Sequence, residues 1–450
     1  MLELETLARY DQPVPRYTSY PTTPHFTETV DAETHAQWLA EIPGDESLSL
    51  YVHIPFCDTM CWFCGCHTRI VNRYEPVTAY LNHMTAEVER VANTLGKRHR
   101  ASHVHWGGGT PTSLAPTDIL RLSDAMRTHF DFDGESEFAV EIDPRGIGDD
   151  TIYALGKAGV TRASLGIQDF STKVQQAVNR IQPFNETNRV IDGLRGVGIT
   201  EINVDLMYGL PHQGVEEVLA TIERVLELEP ARLALFGYAH VPWMKTHQKM
   251  INEAALPGTE ERWKQAEAAM TFLEDHGFIT IGLDHFALEN DPMSVALKTG
   301  ALHRNFQGYT TDHAETLIGL GASSISSLPQ GYTQNLPQIN LYRRAIDDGH
   351  LPTARGVELS DNDRLRRAVI ERLMCDLEID LVQICAEHGE TADTLAEARP
   401  KLEELAADGL IELDGDHITV TPDGRLLVRC VCAVFDVYLE MAEGKHSKAV

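Results

Sequence analysis

The sequence predicts an α/β fold: a full or partial (β/α) barrel, preceded by an N-terminal arm and followed by a mainly helical, winged-helix-like C-terminal domain. Three observations carry this. From about residue 48, short β-branched runs alternate with longer amphipathic stretches, the pattern of a parallel sheet with crossover helices. Polar or Gly-rich residues collect at the carboxyl ends of six successive candidate strands, as on the loop-bearing face of a barrel. An open sheet would concentrate them at one switch point instead. Past residue 356 the order changes to helices followed by a hairpin. The expected division is an arm at 1–30, a barrel at 31–355 and a helical domain at 356–450.

Residues 1–30 are rich in Pro, Tyr and Thr (PVPRYTSYPTTP) and lack either periodicity, so they read as an extended arm. Candidate strands follow at 48–54, 103–106, 137–142, 161–167, 201–206, 232–236 and 278–283. Stretches such as 77–95 and 215–228 have the length and period of crossover helices between them. The strand ends run into Phe56-Cys57, Gly107-Gly108-Gly109-Thr110, Glu141-Ile142-Asp143, Gln168-Asp169, Tyr208-Gly209 and Tyr238-Ala239-His240. Leu351-Pro352 breaks the chain, and Ser360 with Asp363 reads as the start of a helix reaching about Cys375. A further helix near 399–407 meets Gly409, a C′ residue, and 411–415 opens a hairpin through 418–420.

The chain has 450 residues, 43% of them hydrophobic, and a net charge of −29. That balance excludes a disordered or collagen-like chain. A surface so acidic argues against nucleic acid or anionic lipid as partner, the helical domain included, with 10 Lys and Arg against 21 Asp and Glu. An anionic substrate must then be met by locally placed Arg or His. The N-terminus lacks a basic, apolar leader, and the most apolar late stretch, 426–439, is broken by Arg429 and Asp436. A cytoplasmic monomer is expected.

Eight cysteines are too sparse for a disulfide scaffold, but four of them (Cys57, Cys61, Cys64, Cys66) fall within ten residues. Three thiolates spaced Cys57-x₃-Cys61-x₂-Cys64 on one loop suit three irons of a [4Fe–4S] cluster, leaving the fourth open. An open iron can be chelated by the amino and carboxylate groups of S-adenosylmethionine (SAM). The competing reading is a structural zinc with Cys66 as fourth ligand, although zinc usually takes two separated pairs. The glycines at 107–109 let a polar ligand approach bare backbone, and no Lys-Ser/Thr follows to make a phosphate loop. Glu141 and Asp143 share a strand face and could meet ribose hydroxyls or an ammonium, or simply pair with Arg145 or Arg162. Asn203 and Asp205 repeat that spacing. His53, His105, His240 and His285 read as hydrogen-bonded barrel residues. The run 303–309 (HRNFQGY) offers cation to an anionic substrate, or a loop salt bridge.

With an aromatic Phe63 before its last cysteine, the triplet resembles the radical SAM superfamily motif. The strings at 51–57 (YVHIPFC), 107–112 (GGGTPT) and 208–211 (YGLP) resemble the oxygen-independent coproporphyrinogen III oxidase family within it. So do 15–21 (PRYTSYP), Cys64-Gly65-Cys66 and 303–309. The resemblance covers essentially the whole chain and makes the barrel a radical SAM barrel. It implies oxidative decarboxylation of two propionates of coproporphyrinogen III to vinyl groups, giving protoporphyrinogen IX in haem biosynthesis. A 5′-deoxyadenosyl radical carries the chemistry, so no catalytic acid or base is expected, and an external reductant and electron acceptor are required. One [4Fe–4S] cluster on Cys57, Cys61 and Cys64 and two SAM molecules are implied, with Tyr51 beside the cluster. Phe63, Gly108, Glu141 and Asp205 match positions around the first SAM; Gly109, Thr110, Gln168, Arg180, Ala239 and Ile325 match those around the second. Arg16, His303 and Arg304 are the candidates for substrate carboxylates. Two departures stand out: Gly237 where a side-chain amide is expected, and Ala322-Ser323-Ser324-Ile325. A haem-binding chaperone and a haem-ring-modifying enzyme are the alternatives within the superfamily.

Overall fold

A computed structural model describes residues 4–439. The arm is not extended throughout: α1 (Leu4–Tyr10) is a short helix. Its Leu7, with Val14, Tyr17 and Tyr20 after it, is buried in the C-terminal core. Seven residues carry too little helical pattern to be read alone, and tertiary burial stabilises them. α2 (Ala32–Ala40), capped by Asp31, leads into the sheet.

Strand and helix then alternate: β1 (Leu48–Ile54), β2 (Phe56–Cys57), β3 (Arg69–Ile70), α3 (Glu75–Leu95), β4 (Ala101–Gly108), α4 (Pro116–His129), β5 (Glu137–Ile142), α5 (Asp149–Ala158) and β6 (Arg162–Gln168). α6 (Thr172–Ala177), α7 (Phe184–Gly196), β7 (Glu201–Tyr208), α8 (Val215–Leu226), β8 (Arg232–Gly237) and α9 (Thr259–Asp275) complete that run. Next come β9 (Phe278–Ile281), β10 (His285–Leu288), α10 (Pro292–Lys298), the hairpin β11 (His303–Asn305) and β12 (Gly308–Thr310), then β13 (Thr316–Leu320), β14 (Ile325–Leu328), β15 (Gly331–Asn335), α11 (Ile339–Asp347) and β16 (Thr353–Glu358).

One twelve-stranded sheet holds the order β16-β15-β14-β13-β1-β4-β5-β6-β7-β8-β10-β9. From β13 through β8 every neighbour is parallel. Among the described residues β9 and β16 are its outermost strands, β16 meeting only a single bridge from Thr27, so the barrel is partial. The segment expected as a seventh parallel strand, 278–283, instead turns back through Gly282 (φ +55°) into an antiparallel hairpin, and β10 lies between it and β8. A connection of three residues permits only antiparallel pairing. The run 303–309 is likewise a hairpin, β11–β12, rather than an irregular loop.

On each parallel strand the alternate residues divide cleanly. On β1, Leu48, Leu50, Val52 and Ile54 are fully buried in the core cluster that α3, α4, α5, α7 and α8 also fill. The residues between them point into the barrel. This period of two presents polar side chains to the interior while the helices cover the outside.

The second unit begins with Ser360, which caps α12 (Asp361–Asp376) in a reciprocal box with Asp363. The expected divide at 356 falls inside β16, which belongs to the barrel's sheet. β17 (Glu378–Asp380), α13 (Leu381–Glu387), α14 (Arg399–Ala407), β18 (Ile411–Asp414), β19 (His417–Val420) and α15 (Val428–Ala433) follow, and the three strands pair in the order β17-β19-β18. Helices with a three-stranded wing match the expected layout; residues 440–450 of that expectation lie outside the described ones. Among the described residues no helix is long and apolar enough to cross a membrane.

Candidate active site

The inward residues of the parallel strands form layers. Nearest the amino ends, Arg162 of β6 donates to Glu137 of β5 and Asn203 of β7, each at 3.0 Å, and Arg232 of β8 meets Asp291 at 2.7 Å. These buried charges are paired, although Arg232 Nη2 and Asp291 Oδ2 are left without a hydrogen-bond partner. One layer up, His105 of β4 bonds Glu141 at 3.2 Å, and Ser164 donates to Asp205 at 3.2 Å. Tyr51 stacks on His105, with ring centroids 5.8 Å apart, and its hydroxyl meets His53 Nδ1 at 3.0 Å. Burial would raise the Glu141 carboxyl, but His105 and the Gly108 N–H (3.1 Å) hold it below the usual carboxylate range. Burial, then the charge of Glu141, pushes Asp205 up to about 6.

Both layers line a cavity of about 350 Å³. Cys57, Cys61, Cys64 and Phe63 border it on one side; Gly108, Gly109, Glu141, Gln168, Arg180 and Asp205 border it on the other. The three cysteines sit on the loop after β1, where the parallel pairing of β2 with β3 folds it back. Other loops fasten it. Asn179 donates to Met60 O at 2.8 Å, Gln248 to Phe63 O at 3.0 Å, His247 to Cys64 O at 2.7 Å and Lys245 to Cys66 O at 3.0 Å. Arg145 and Arg180 reach Cys61 Sγ at 3.3 and 3.4 Å, and both grip Asp143. Both carboxylates line the cavity, and Asp143 also follows the plainer of its two sequence readings, a salt bridge to Arg145 that Arg180 shares.

Three thiols on a cavity rim fit a cluster. Burial pushes the Cys57 thiol up to about 12, so a thiolate there needs a cation beside it. Among the described residues no three His, Cys, Asp or Glu side chains converge as one metal ion would require. A four-iron cube holds each cysteine on a separate iron and does not require that convergence. The opposite wall is bare backbone by necessity: a Cβ at Gly109 would lie 2.5 Å from Phe56 O, and one at Gly108 2.9 Å from Ile54 O. Arg180 Nε is buried without a hydrogen-bond partner at the same cavity. The donor set and the glycine cradle both fit an iron–sulfur cluster with a nucleoside-bearing ligand.

A second cavity, of about 830 Å³, adjoins the first at Cys66, Phe236, His285 and Gln307. Arg16 and Arg304 line it together, although one comes from the arm and the other from β11. Arg304 donates to Arg16 O at 3.3 Å, and its guanidinium lies 4.4 Å from the Tyr309 ring centroid. His303 does not join them. It faces a different cavity and bonds Glu371 at 3.0 Å, so the two sequence readings of 303–309 divide between neighbouring residues. Ala239 borders the second cavity, not the first. Thr110 is buried against the Asp143 N–H at 3.2 Å. Ile325 opens β14 and packs with Phe26 and Tyr332, on the wall of neither cavity. At Gly237 an added Cβ would stand 2.8 Å from the Tyr208 hydroxyl, so Tyr208 occupies the space where a side-chain amide is expected.

The profile of the Radical SAM superfamily matches residues 51–225, and that of the HemN C-terminal domain matches 359–427. The chain is 50% identical over 440 residues to the oxygen-independent coproporphyrinogen III oxidase of Bradyrhizobium diazoefficiens, covering 98% of both chains. It belongs to that family. The enzyme of the same name from Escherichia coli is 40% identical over 438 residues, covering 97% of this chain and 95% of its own. The solved structure of coproporphyrinogen III oxidase from E. coli, a radical SAM enzyme, superposes with a TM-score of 0.90 at 38% identity, covering 95% of this chain and 100% of that one. The chain is therefore a radical SAM enzyme, and the family resemblance of its motifs holds. The sequence reading missed Asn179, His247 and Gln248, which hold the cysteine loop from other loops and carry no motif of their own.

Proposed function

We propose that the chain oxidatively decarboxylates two propionate side chains of coproporphyrinogen III to vinyl groups, giving protoporphyrinogen IX in haem biosynthesis. The observation that carries this reading is the junction of the two cavities, one edged by the three cysteines and one by arginines. Cys57, Cys61 and Cys64 would hold the cluster. When bound, the cluster and SAM supply one-electron cleavage of the sulfonium and the hydrogen-atom abstraction that follows. The chain's own residues position and enclose. The Gly108 and Gly109 backbone and the Glu141 and Asp205 carboxylates offer acceptors and close approach to the amino-acid end and ribose of SAM. Gly109, Gln168 and Arg180 border the same cavity, and Ala239 the adjoining one, which supports room for a second SAM between them. Ile325 lines neither, and His303 is engaged by Glu371, so the two cavities lend these two positions no support. Arg16 and Arg304 would take substrate carboxylates as charge-assisted hydrogen bonds. The reading makes the chain a cytoplasmic monomer that draws on an external reductant and an electron acceptor.

The test is an anaerobic assay of cluster-reconstituted protein with reductant, SAM and coproporphyrinogen III. Protoporphyrinogen IX and 5′-deoxyadenosine should form together, and Cys57→Ala should abolish both. Tight haem binding without either product would replace this reading with that of a chaperone.

A further inference from the structure

The second cavity holds two more arginines that no motif marks, Arg262 on α9 and Arg429 on α15. With Arg16 and Arg304 they bring four guanidiniums to one chamber from the arm, a barrel helix, a barrel hairpin and the C-terminal domain. Among the described lining residues Asp284 is the only carboxylate, and His285 Nδ1 already bonds it at 2.7 Å. On a chain of net charge −29, so local a surplus of cation is a built feature.

The arginines are close to one another. Arg16 Nη2 reaches Gly237 O at 3.5 Å, and Arg262 Nη2 would stand 3.2 Å from a Cβ on the same glycine. Arg262 Nε, Arg304 Nε and Arg304 Nη1 are buried with no hydrogen-bond partner. Arg429 is 7% exposed; burial, and next the positive charge of Arg16, draw its guanidinium down to about 10. Buried like charges repel, and an anion among them relieves that repulsion. Between the arginines the walls are aromatic: Tyr208, Phe236, Phe306 and Trp243. An apolar slot rimmed by cations suits a flat macrocycle with carboxylates at its edge.

Resting on the function proposed above, we propose that Arg262 and Arg429 complete a four-arginine dock for the carboxylates of the tetrapyrrole, so that the C-terminal domain supplies part of the substrate site. The probe is coproporphyrin III, the stable oxidised form of the substrate with all four carboxylates, titrated into the full chain and followed by its main absorption band. Mesoporphyrin IX, with two carboxylates on a similar ring, is the comparison. Arg262→Gln and Arg429→Gln should each weaken coproporphyrin binding about 10- to 100-fold. They should also narrow the preference for coproporphyrin over mesoporphyrin, which a merely structural loss would not do. Reductive SAM cleavage without substrate should survive. Arg429→Lys keeps the charge and stem and should recover part of the affinity, which guards against misfolding of the Gln variant. Wild-type affinity in the Gln variants, or equal loss for both porphyrins, overturns the inference. If Arg304→Gln weakens binding while those two do not, the function stands and only this inference falls. If the wild-type chain binds neither porphyrin, both fall.

Discussion

Asp143→Asn would show how much of the cysteine loop's order depends on one carboxylate. Asp143 accepts from Arg145 Nε at 2.9 Å and Nη2 at 2.6 Å, and from Arg180 Nη1 at 3.2 Å and Nη2 at 3.3 Å. The same guanidiniums donate to Cys61 Sγ. The three side chains are only 18%, 18% and 8% exposed, so solvent screens the trio weakly. Asparagine keeps the shape and one acceptor but leaves two buried cations facing a neutral group. Removing one member of a buried ion pair costs about 3–5 kcal/mol. The retained acceptor holds this case near the lower end, about 3 kcal/mol, or several degrees of melting temperature. Freed of Asp143, the two arginines would also turn, and Cys61 would lose its anchors. Anaerobic scanning calorimetry and iron and sulfide content after reconstitution measure both effects; a lower melting temperature and a substoichiometric cluster are expected. There is a pH signature as well. Burial opposes ionisation of Asp143, yet Arg145 and Arg180 hold its carboxyl below the usual 3.8. Its stabilisation is therefore complete above about pH 4 and is lost as pH falls further, and the variant should lack that loss. Full iron content, an unchanged melting temperature and the wild-type acid slope would together refute the reasoning.

Three further outcomes follow from local geometry. Gly109→Ala places a methyl 2.5 Å from Phe56 O and 2.8 Å from Phe56 C and N, backbone atoms that cannot swing aside, so SAM affinity by equilibrium dialysis should drop about 10-fold or more; Gly134→Ala, with nothing within 4 Å, is the silent control. Burial pushes Glu87 up to about 7 from 4.5 despite donors from Tyr342, Gly321 and Asn335, so the folded chain holds a proton that the unfolded chain releases, and stability should fall by about 3 kcal/mol as pH rises from 4.5 through 7. Chemical unfolding at pH 5 and pH 8 should show that fall in the wild type and not in Glu87→Gln, and parallel profiles would remove Glu87 as its source. The Tyr309 hydroxyl accepts from Leu283 N at 3.0 Å and donates to Met374 O at 2.8 Å, tying the barrel to α12. Tyr309→Phe should cost about 1–3 kcal/mol while porphyrin affinity stays within about threefold, because the ring under Arg304 remains.

Much of the barrel was legible because its signals are short-ranged. Six of the expected parallel strands sit within a few residues of their predicted bounds, since each is a β-branched run ended by polar or glycine residues. The capping box at Ser360 and the turn at Gly415 were equally readable, both being local hydrogen-bond or backbone requirements. β13 to β16 went unread. β14 to β16 mix Ser, Thr, Gln, Asn and Arg with few apolar residues, and β13 is a five-residue apolar run too short to assign alone; all four form strands because each lies against an already formed neighbour on the sheet. The helix α1 was missed for the same reason: its burial comes from the far end of the chain.

The site divides along the same line. Cys57, Cys61 and Cys64 lie on one loop, so their spacing is itself their geometry, and the family could be read from them and the strings around them. Glu141 and Asp205 were found because period-two alternation aims every second residue of a parallel strand into the barrel. Nothing in the spacing of Arg16, Arg262, Arg304 and Arg429 says that they share a chamber, or that His303 turns away to Glu371 while its neighbour stays. The cysteine loop, the parallel core and the family were set by the residues alone, because those rest on contacts between residues close along the chain. Only the tertiary structure decided that the barrel stays open, that Asp143 braces Cys61 and that four arginines meet. Those depend on which distant surfaces pack together, and packing leaves no periodic trace in the residues it joins.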